Sequence, residues 1–250
     1  MRDQWVITGG ASGIGAQLVS EVVRDGAHAI AWDVNSPQAA EHVTYTRVDL
    51  LQQSDIEAAA NGISGGVRAF VHCAGTGVVT SSAHADVAQQ LRLAFELYVV
   101  AFVAGVQGLY DRLIGGLGAI IAVSSAAMDV VYPDTLAYGA SKAALRRVID
   151  QLAVELGPKG VRVNGVSPGA IDTPMTRRSW SDARFAAERC ALIPLGRQAQ
   201  PRSVTSLIRL LVSAAADYIT GETIFVDGGV RHGIFNSAAY AFAESGRKPA

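Results

Sequence analysis

Short apolar runs punctuate the chain at 5–8, 29–32, 43–48, 69–72, 119–124, 161–166 and 223–226, and each is followed by a small or polar residue. Runs of this length, rich in β-branched and aromatic residues, read as strands buried on both faces. Between them the apolar residues recur at helical spacing over 16–24, 55–61, 86–113, 138–156 and 201–213. In the helix from 138, for example, Ala140, Ala144, Val148 and Leu152 form one stripe, and Gly157 and Pro158 stop it. Gly115, Gly116 and Gly118 break the long pattern at 86–113 before the next strand. The β-then-α order calls for an α/β fold with a parallel sheet flanked by helices. We expect a single domain over 1–250, in which 171–197 is a mobile cap and 230–250 is a tail.

Composition narrows the function classes. At 250 residues the chain can bury one sizeable core. Half of it is hydrophobic, 17% is charged and the formal net charge is -1, so neither nucleic acid nor an anionic membrane is an expected partner. Small molecules are. Two cysteines, Cys73 and Cys190, are too few for a disulfide framework or a thiolate zinc site, and no metal is expected. The first residues run straight into a strand without a basic region and a long apolar run, which reads as cytoplasmic. The apolar run 97–106 is shorter than the roughly 20 residues a membrane-spanning helix needs and reads as a buried core helix.

Two stretches carry candidate chemistry. After the first strand come Gly9, Gly10, Ala11, Ser12, Gly13, Ile14 and Gly15, and then a helix. Glycines let backbone approach a pyrophosphate, and the helix start offers it free N–H groups. Asp33, at the end of the second strand, follows Gly13 by 20 residues, where a carboxylate binds ribose hydroxyls and repels a 2′-phosphate. NAD is therefore expected over NADP. Ala74 and Gly75, after the fourth strand, leave room for a flat ring or ribose. The second stretch runs from Ser125 through Tyr138 to Lys142. Tyr138 and Lys142, four apart, share a helix face, and an ammonium beside a phenol would lower the phenol's pKa towards a usable acid or base. Ser125, at a strand end, would hydrogen-bond the same substrate oxygen.

These motifs, with Asp49, Asn164, Pro168, Gly169, Thr173 and Asp227 to Gly229 in order, resemble the short-chain dehydrogenase/reductase family from about Val6 to Gly229. The resemblance implies a Rossmann-type, doubly wound domain that moves a hydride between nicotinamide and a carbonyl or alcohol carbon. It implies that Tyr138 is the acid or base, that Lys142 holds the nicotinamide ribose, and that Ser125 positions the substrate oxygen. Thr173 would contact the nicotinamide carboxamide and Asp49 the adenine region, with Leu50, Pro168, Gly169 and Ile171 completing the cofactor contacts. Similar proteins are commonly tetramers, and a homotetramer or homodimer is expected.

Two features depart from the family. Its usual helix asparagine, about 27 residues before the serine, is Tyr98 here, which puts the proton relay beyond the lysine in question. His72 and Cys73 stand where two asparagines are usual; His72 is expected to brace the sheet and Cys73 to pack. The function expected is an NAD-dependent dehydrogenase or reductase of a secondary alcohol or ketone. Trp180, Phe185, Phe235, Tyr240 and Phe242 suggest an aromatic, alicyclic or steroid-like substrate. Arg177 and Arg178 could instead meet an acidic one. The alternative is an NAD-binding sensor or scaffold with impaired chemistry, supported by Tyr98 alone.

Overall fold

The strands are β1 (Gln4–Thr8), β2 (His28–Asp33), β3 (Val43–Arg47), β4 (Ala69–His72), β5 (Ala119–Val123), β6 (Arg162–Pro168) and β7 (Thr223–Val226). All pair in parallel in the order β3-β2-β1-β4-β5-β6-β7. This is the Rossmann-type, doubly wound α/β sheet. The computed structural model describes residues 3–35, 37, 41–76, 86–114, 118–177 and 180–233. Gly115, Gly116, Arg178, Phe235, Tyr240 and Phe242 lie outside the described residues.

Alternation along the strands builds two cores. Val6, Ile30, Phe70 and Ile120 face one side, where they meet α2 (Gln53–Asn61), α4 (Ala101–Leu113) and α5 (Leu136–Leu156). Their neighbours Ile7, Ala31, Val71 and Ile121 face the other side, against α1 (Gly13–Arg24) and α8 (Pro201–Val212). Successive side chains of a strand point to opposite faces, so a strand apolar at every position needs helices on both sides. The helix-covered faces leave the carboxyl ends of the strands open. Between β1 and β4 the strand order reverses, which opens a crevice suited to a ligand.

The pattern at 86–113 is one helical rod with a fault in it. α3 (Val87–Phe95) passes into a π turn, Glu96–Val100, before α4 begins. The whole rod, Val87–Leu113, is 27 residues long and contains an 18-residue stretch of mean hydropathy 1.6, enough by length and composition to cross a membrane. The ten-residue run read from sequence understated it. Ala94, Tyr98, Ala101, Phe102, Val106, Leu109 and Leu113 are buried within the fold.

β6 runs two residues beyond its expected end, held by pairing of Pro168 with Val226. Asn164, wholly buried on this strand, donates to the Ile219 carbonyl (2.8 Å) and accepts from the Glu222 N–H (3.1 Å). It thereby ties the connection into β7 to the middle of the sheet. Asp227 accepts the N–H groups of Gly229 (2.9 Å) and Arg231 (3.1 Å), so it caps the short α9 (Val230–Gly233). The segment 171–197 holds α6 (Pro174–Arg177) and α7 (Ala183–Ala191), with Ile171 bridged to Ala199 at its base.

Candidate active site

A cleft of about 760 Å³ lies across the carboxyl ends of β1, β2, β4, β5 and β6. Its floor is the glycine turn. Gly9 has φ +68°, and a side chain there would begin 2.8 Å from the Ala74 Cα. One on Gly15 would begin 2.2 Å from the Gly9 carbonyl oxygen. Ser12, Gly13 and Ile14 line the cleft, while Gly15 is buried behind them and keeps the turn close to α1. The backbone is thus bare where an anion would approach, which fits the pyrophosphate of a dinucleotide.

Asp33 is held in place from two sides. One carboxylate oxygen accepts the Ala11 N–H at 3.0 Å and the other accepts the Asn35 N–H at 2.9 Å. A carboxylate has about four lone-pair positions, so acceptor capacity remains for ribose hydroxyls. Asp49, Leu50, Ala74, Gly75, Pro168, Gly169, Ile171 and Thr173 line the same cleft. Thr173 stands 3.5 Å from where a Gly13 side chain would begin, so the turn after β6 closes against the glycine turn. Met175, one residue past Pro174, reaches within 3.5 Å of the same point on Gly75. Met175 was not singled out in the sequence, and only its spacing from Thr173 could have suggested it.

Ser125, Tyr138 and Lys142 reach the cleft from the end of β5 and the first turns of α5. Ser125 accepts the Ala127 N–H at 3.2 Å and is hydrogen-bonded to Tyr138. The expected lowering of the Tyr138 pKa is not what the surroundings produce. Burial pushes the phenol up, and the Ser125 hydrogen bond only partly offsets it. Lys142 is itself the shifted group. Only 3% exposed, it is driven by burial from 10.5 to about 7. Its ammonium donates to the Val123 carbonyl (2.8 Å) and lies 5.7 Å from the Tyr138 ring centroid. Spacing on a helix correctly paired the two residues. It carried no information about how dry their surroundings are, and desolvation outweighs their mutual field.

Tyr98 comes down onto this cluster from the π turn. Its ring centroid lies 3.9 Å from the Lys142 Nζ and 5.5 Å from the Tyr138 ring, edge to face. Its hydroxyl donates to the Thr76 carbonyl (2.5 Å) and accepts the Thr76 N–H (3.1 Å). Counting back from Ser125 located the residue, but its contacts depend on the π turn, which the hydrophobic pattern did not show.

His72 is a brace. Its Nε2 lies 3.2 Å from the Leu97 carbonyl and its Nδ1 3.1 Å from the Thr8 hydroxyl. A carbonyl only accepts, so Nε2 carries the proton and Nδ1 accepts from Thr8. The Thr8 oxygen accepts in turn from the Ala74 N–H at 3.1 Å. Burial and the nearby Lys142 hold His72 neutral, with its pKa lowered to about 3. Cys73 packs among the β1 and α1 side chains, and burial raises its thiol to about 12. It is inert at neutral pH. Arg146 and Arg147 lie on the exposed side of α5, and Arg177 is exposed.

Beside Ser125, the buried residues Ala126, Ile193 and Val230 form an apolar cluster with Ala170, Trp180 and Phe225 packed against it. Trp180 and Phe185 both take the Arg189 guanidinium, at 4.9 and 5.4 Å from their ring centroids, so part of the aromatic surface of segment 171–197 is engaged with a charge.

The family model described as enoyl-(acyl carrier protein) reductase matches residues 9–231. L-xylulose reductase from Bos taurus is 34% identical over 238 residues, covering 90% of this chain and 94% of the relative. A 3beta-hydroxysteroid dehydrogenase from Eggerthella lenta is 30% identical over 243 residues, covering 90% and 92%. The solved structure of a 4-hydroxyisoleucine dehydrogenase complexed with NADH superposes with a TM-score of 0.85 at 25% identity, covering 92% of this chain and 98% of that one.

Proposed function

Because the chain belongs to the short-chain dehydrogenase/reductase family of oxidoreductases, we propose that it is an NAD-dependent enzyme interconverting a secondary alcohol and a ketone. The observation that carries this reading is the meeting of Ser125, Tyr138 and Lys142 with the glycine turn and Asp33 in one cleft. The chemistry that NAD would supply in this cleft is reversible hydride transfer with the alcohol carbon. Gly9, Ser12, Gly13 and Ile14 would cradle the NAD pyrophosphate. Asp33 would hold the adenosine ribose, where a 2′-phosphate would meet the carboxylate charge. Asp49 and Leu50 would line the adenine region, and Ala74, Gly75, Pro168, Gly169, Ile171 and Thr173 the rest of the cofactor. Lys142 would hold the nicotinamide ribose.

Tyr138 would give its proton to the ketone oxygen in reduction and take it from the alcohol in oxidation. Ser125 would donate to the same oxygen and stabilise the charge that develops there. In the free protein the Tyr138 phenol is raised, so it is poised as an acid. Oxidation would require the charged Lys142 to favour its deprotonated form.

An apolar aromatic, alicyclic or steroid-like substrate is favoured by Trp180 and the half-exposed Phe185 in the segment 171–197, and one relative is a hydroxysteroid dehydrogenase. The xylulose reductase relative keeps polyols in the test. The segment 171–197 would cap the substrate. Leu93, Val100 and Val154 leave apolar surface on α3, the π turn and α5 (45, 48 and 73% exposed), which suits assembly into a homotetramer or homodimer.

Nicotinamide reduction with NAD and NADP, measured across aryl, steroid and polyol alcohols, tests the reading. We expect turnover with NAD and a fall of about a thousandfold in Tyr138→Phe with NAD affinity retained. No turnover on any alcohol or ketone, with tight NAD binding, would favour a sensor or scaffold instead.

A further inference from the structure

We propose that Tyr98 is a positioning residue: its ring face seats the Lys142 ammonium, and its hydroxyl ties that seat to the backbone at Thr76. The inference deepens the proposed function and rests on Lys142 acting beside Tyr138.

Three observations fix the role. The Lys142 Nζ lies 3.9 Å from the Tyr98 centroid, well inside the roughly 6 Å over which an aromatic face attracts a cation. The Tyr98 side chain is 1% exposed, and its hydroxyl already both donates to and accepts from Thr76. Burial and the neighbouring Tyr138 also push that phenol well above its usual range. Tyr98 is therefore no proton carrier in the cleft, and what it offers is its ring.

The ring matters because little else faces the charge. Among the described residues Lys142 makes no ion pair with a carboxylate. The ionisable groups around it are Tyr98 from the π turn, Tyr138 from its own helix, and His72 and Cys73 from the end of β4. At neutral pH all four are uncharged: two phenols shifted up, a thiol near 12 and an imidazole near 3. The Val123 carbonyl accepts one of the three ammonium N–H bonds. Of the two aromatic rings that face it, Tyr98 is much the nearer, at 3.9 Å from the centroid against 5.7 Å for Tyr138. Because the Tyr98 ring also meets Tyr138 edge to face at 5.5 Å, one side chain sets the spacing of both groups.

The seat favours the charged lysine, so removing the ring should lower the Lys142 pKa further. Lys142 is one of three lysines in the chain, which makes its side-chain carbon and proton signals assignable by their loss in Lys142→Arg. In the wild-type protein the Lys142 Hε protons should show an upfield ring-current shift. The Lys142 titration should move down by about one pH unit in Tyr98→Leu and stay in place in Tyr98→Phe, which keeps the ring and loses only the tie. The acid limb of alcohol oxidation, which follows Tyr138 deprotonation, should move up in Tyr98→Leu and hold in Tyr98→Phe. A wild-type Hε signal without the ring-current shift overturns the proposal, even if Tyr98→Leu fails to fold. So does a Lys142 titration that is unchanged or raised in Tyr98→Leu. These signals are read without substrate, so they remain decisive if the Tyr138 assignment fails its own turnover test.

Discussion

The glycine turn and the Tyr138–Lys142 cluster face the same cleft but are held there by different forces. The turn is a steric device: contacts of 2.8 Å at Gly9 and 2.2 Å at Gly15 leave no space for a side chain, and Asp33 is oriented by N–H groups. The cluster is an electrostatic device, in which burial shifts Lys142 and Tyr138 towards neutrality and aromatic faces replace water. The first can fail by one misplaced atom. The second can be tuned by degrees, because each neighbour contributes a fraction of the shift.

That difference is open to attack at the steric end first. Gly15→Ala places a carbon against the Gly9 carbonyl, and overpacking of this kind costs up to about 3 kcal/mol. Calorimetry should show NAD affinity reduced by roughly a hundredfold. Gly157→Ala, where nothing lies within 4 Å, should leave affinity and melting temperature unchanged. Equal losses in both variants would remove the steric account. A smaller effect is expected from Asp33→Ser, which deletes charged hydrogen bonds and the repulsion of a 2′-phosphate. The NAD-to-NADP ratio of kcat/KM should fall by about tenfold to a hundredfold, and an unchanged ratio would show that Asp33 only orders the loop.

The smallest effect at neutral pH belongs to His72. Its folded-state pKa near 3 lies below the ordinary 6.5, so between these values the unfolded chain binds a proton that the folded one does not. Stability should therefore decline as pH falls below about 6.5, by up to about 1.4 kcal/mol per pH unit. Denaturant titrations from pH 7 to 4 should show His72→Gln less stable at pH 7 but with a shallower acid slope. An identical slope would place the acid sensitivity elsewhere.

What the sequence made legible follows the same division. Strand positions, the glycine turn and Asp33 were readable because they are local: a period, a φ sign, a distance along the chain. Asn164 and Asp227 were noticed as motif members, yet their parts, bracing β7 and capping α9, needed the partners 55 and 2 residues away. The direction of the Tyr138 shift was misread because four-residue spacing shows adjacency and not dryness. His72 was read as a brace from its place on a central strand, and its bonds to Thr8 and Leu97 support that.

The π turn at Glu96–Val100 changes how this stretch can vary. It takes up an extra residue between two halves of one rod, of which α3 lies on α5 and α4 on α2 and the sheet. A π turn holds about one residue more than an α turn, so losing a single residue there would restore ordinary helical winding and leave α3 and α4 nearly in phase. The bulge that brings Tyr98 over Lys142 would be lost although nearly every residue remained. Substitutions in this turn grade the chemistry of the lysine; insertions and deletions re-aim it.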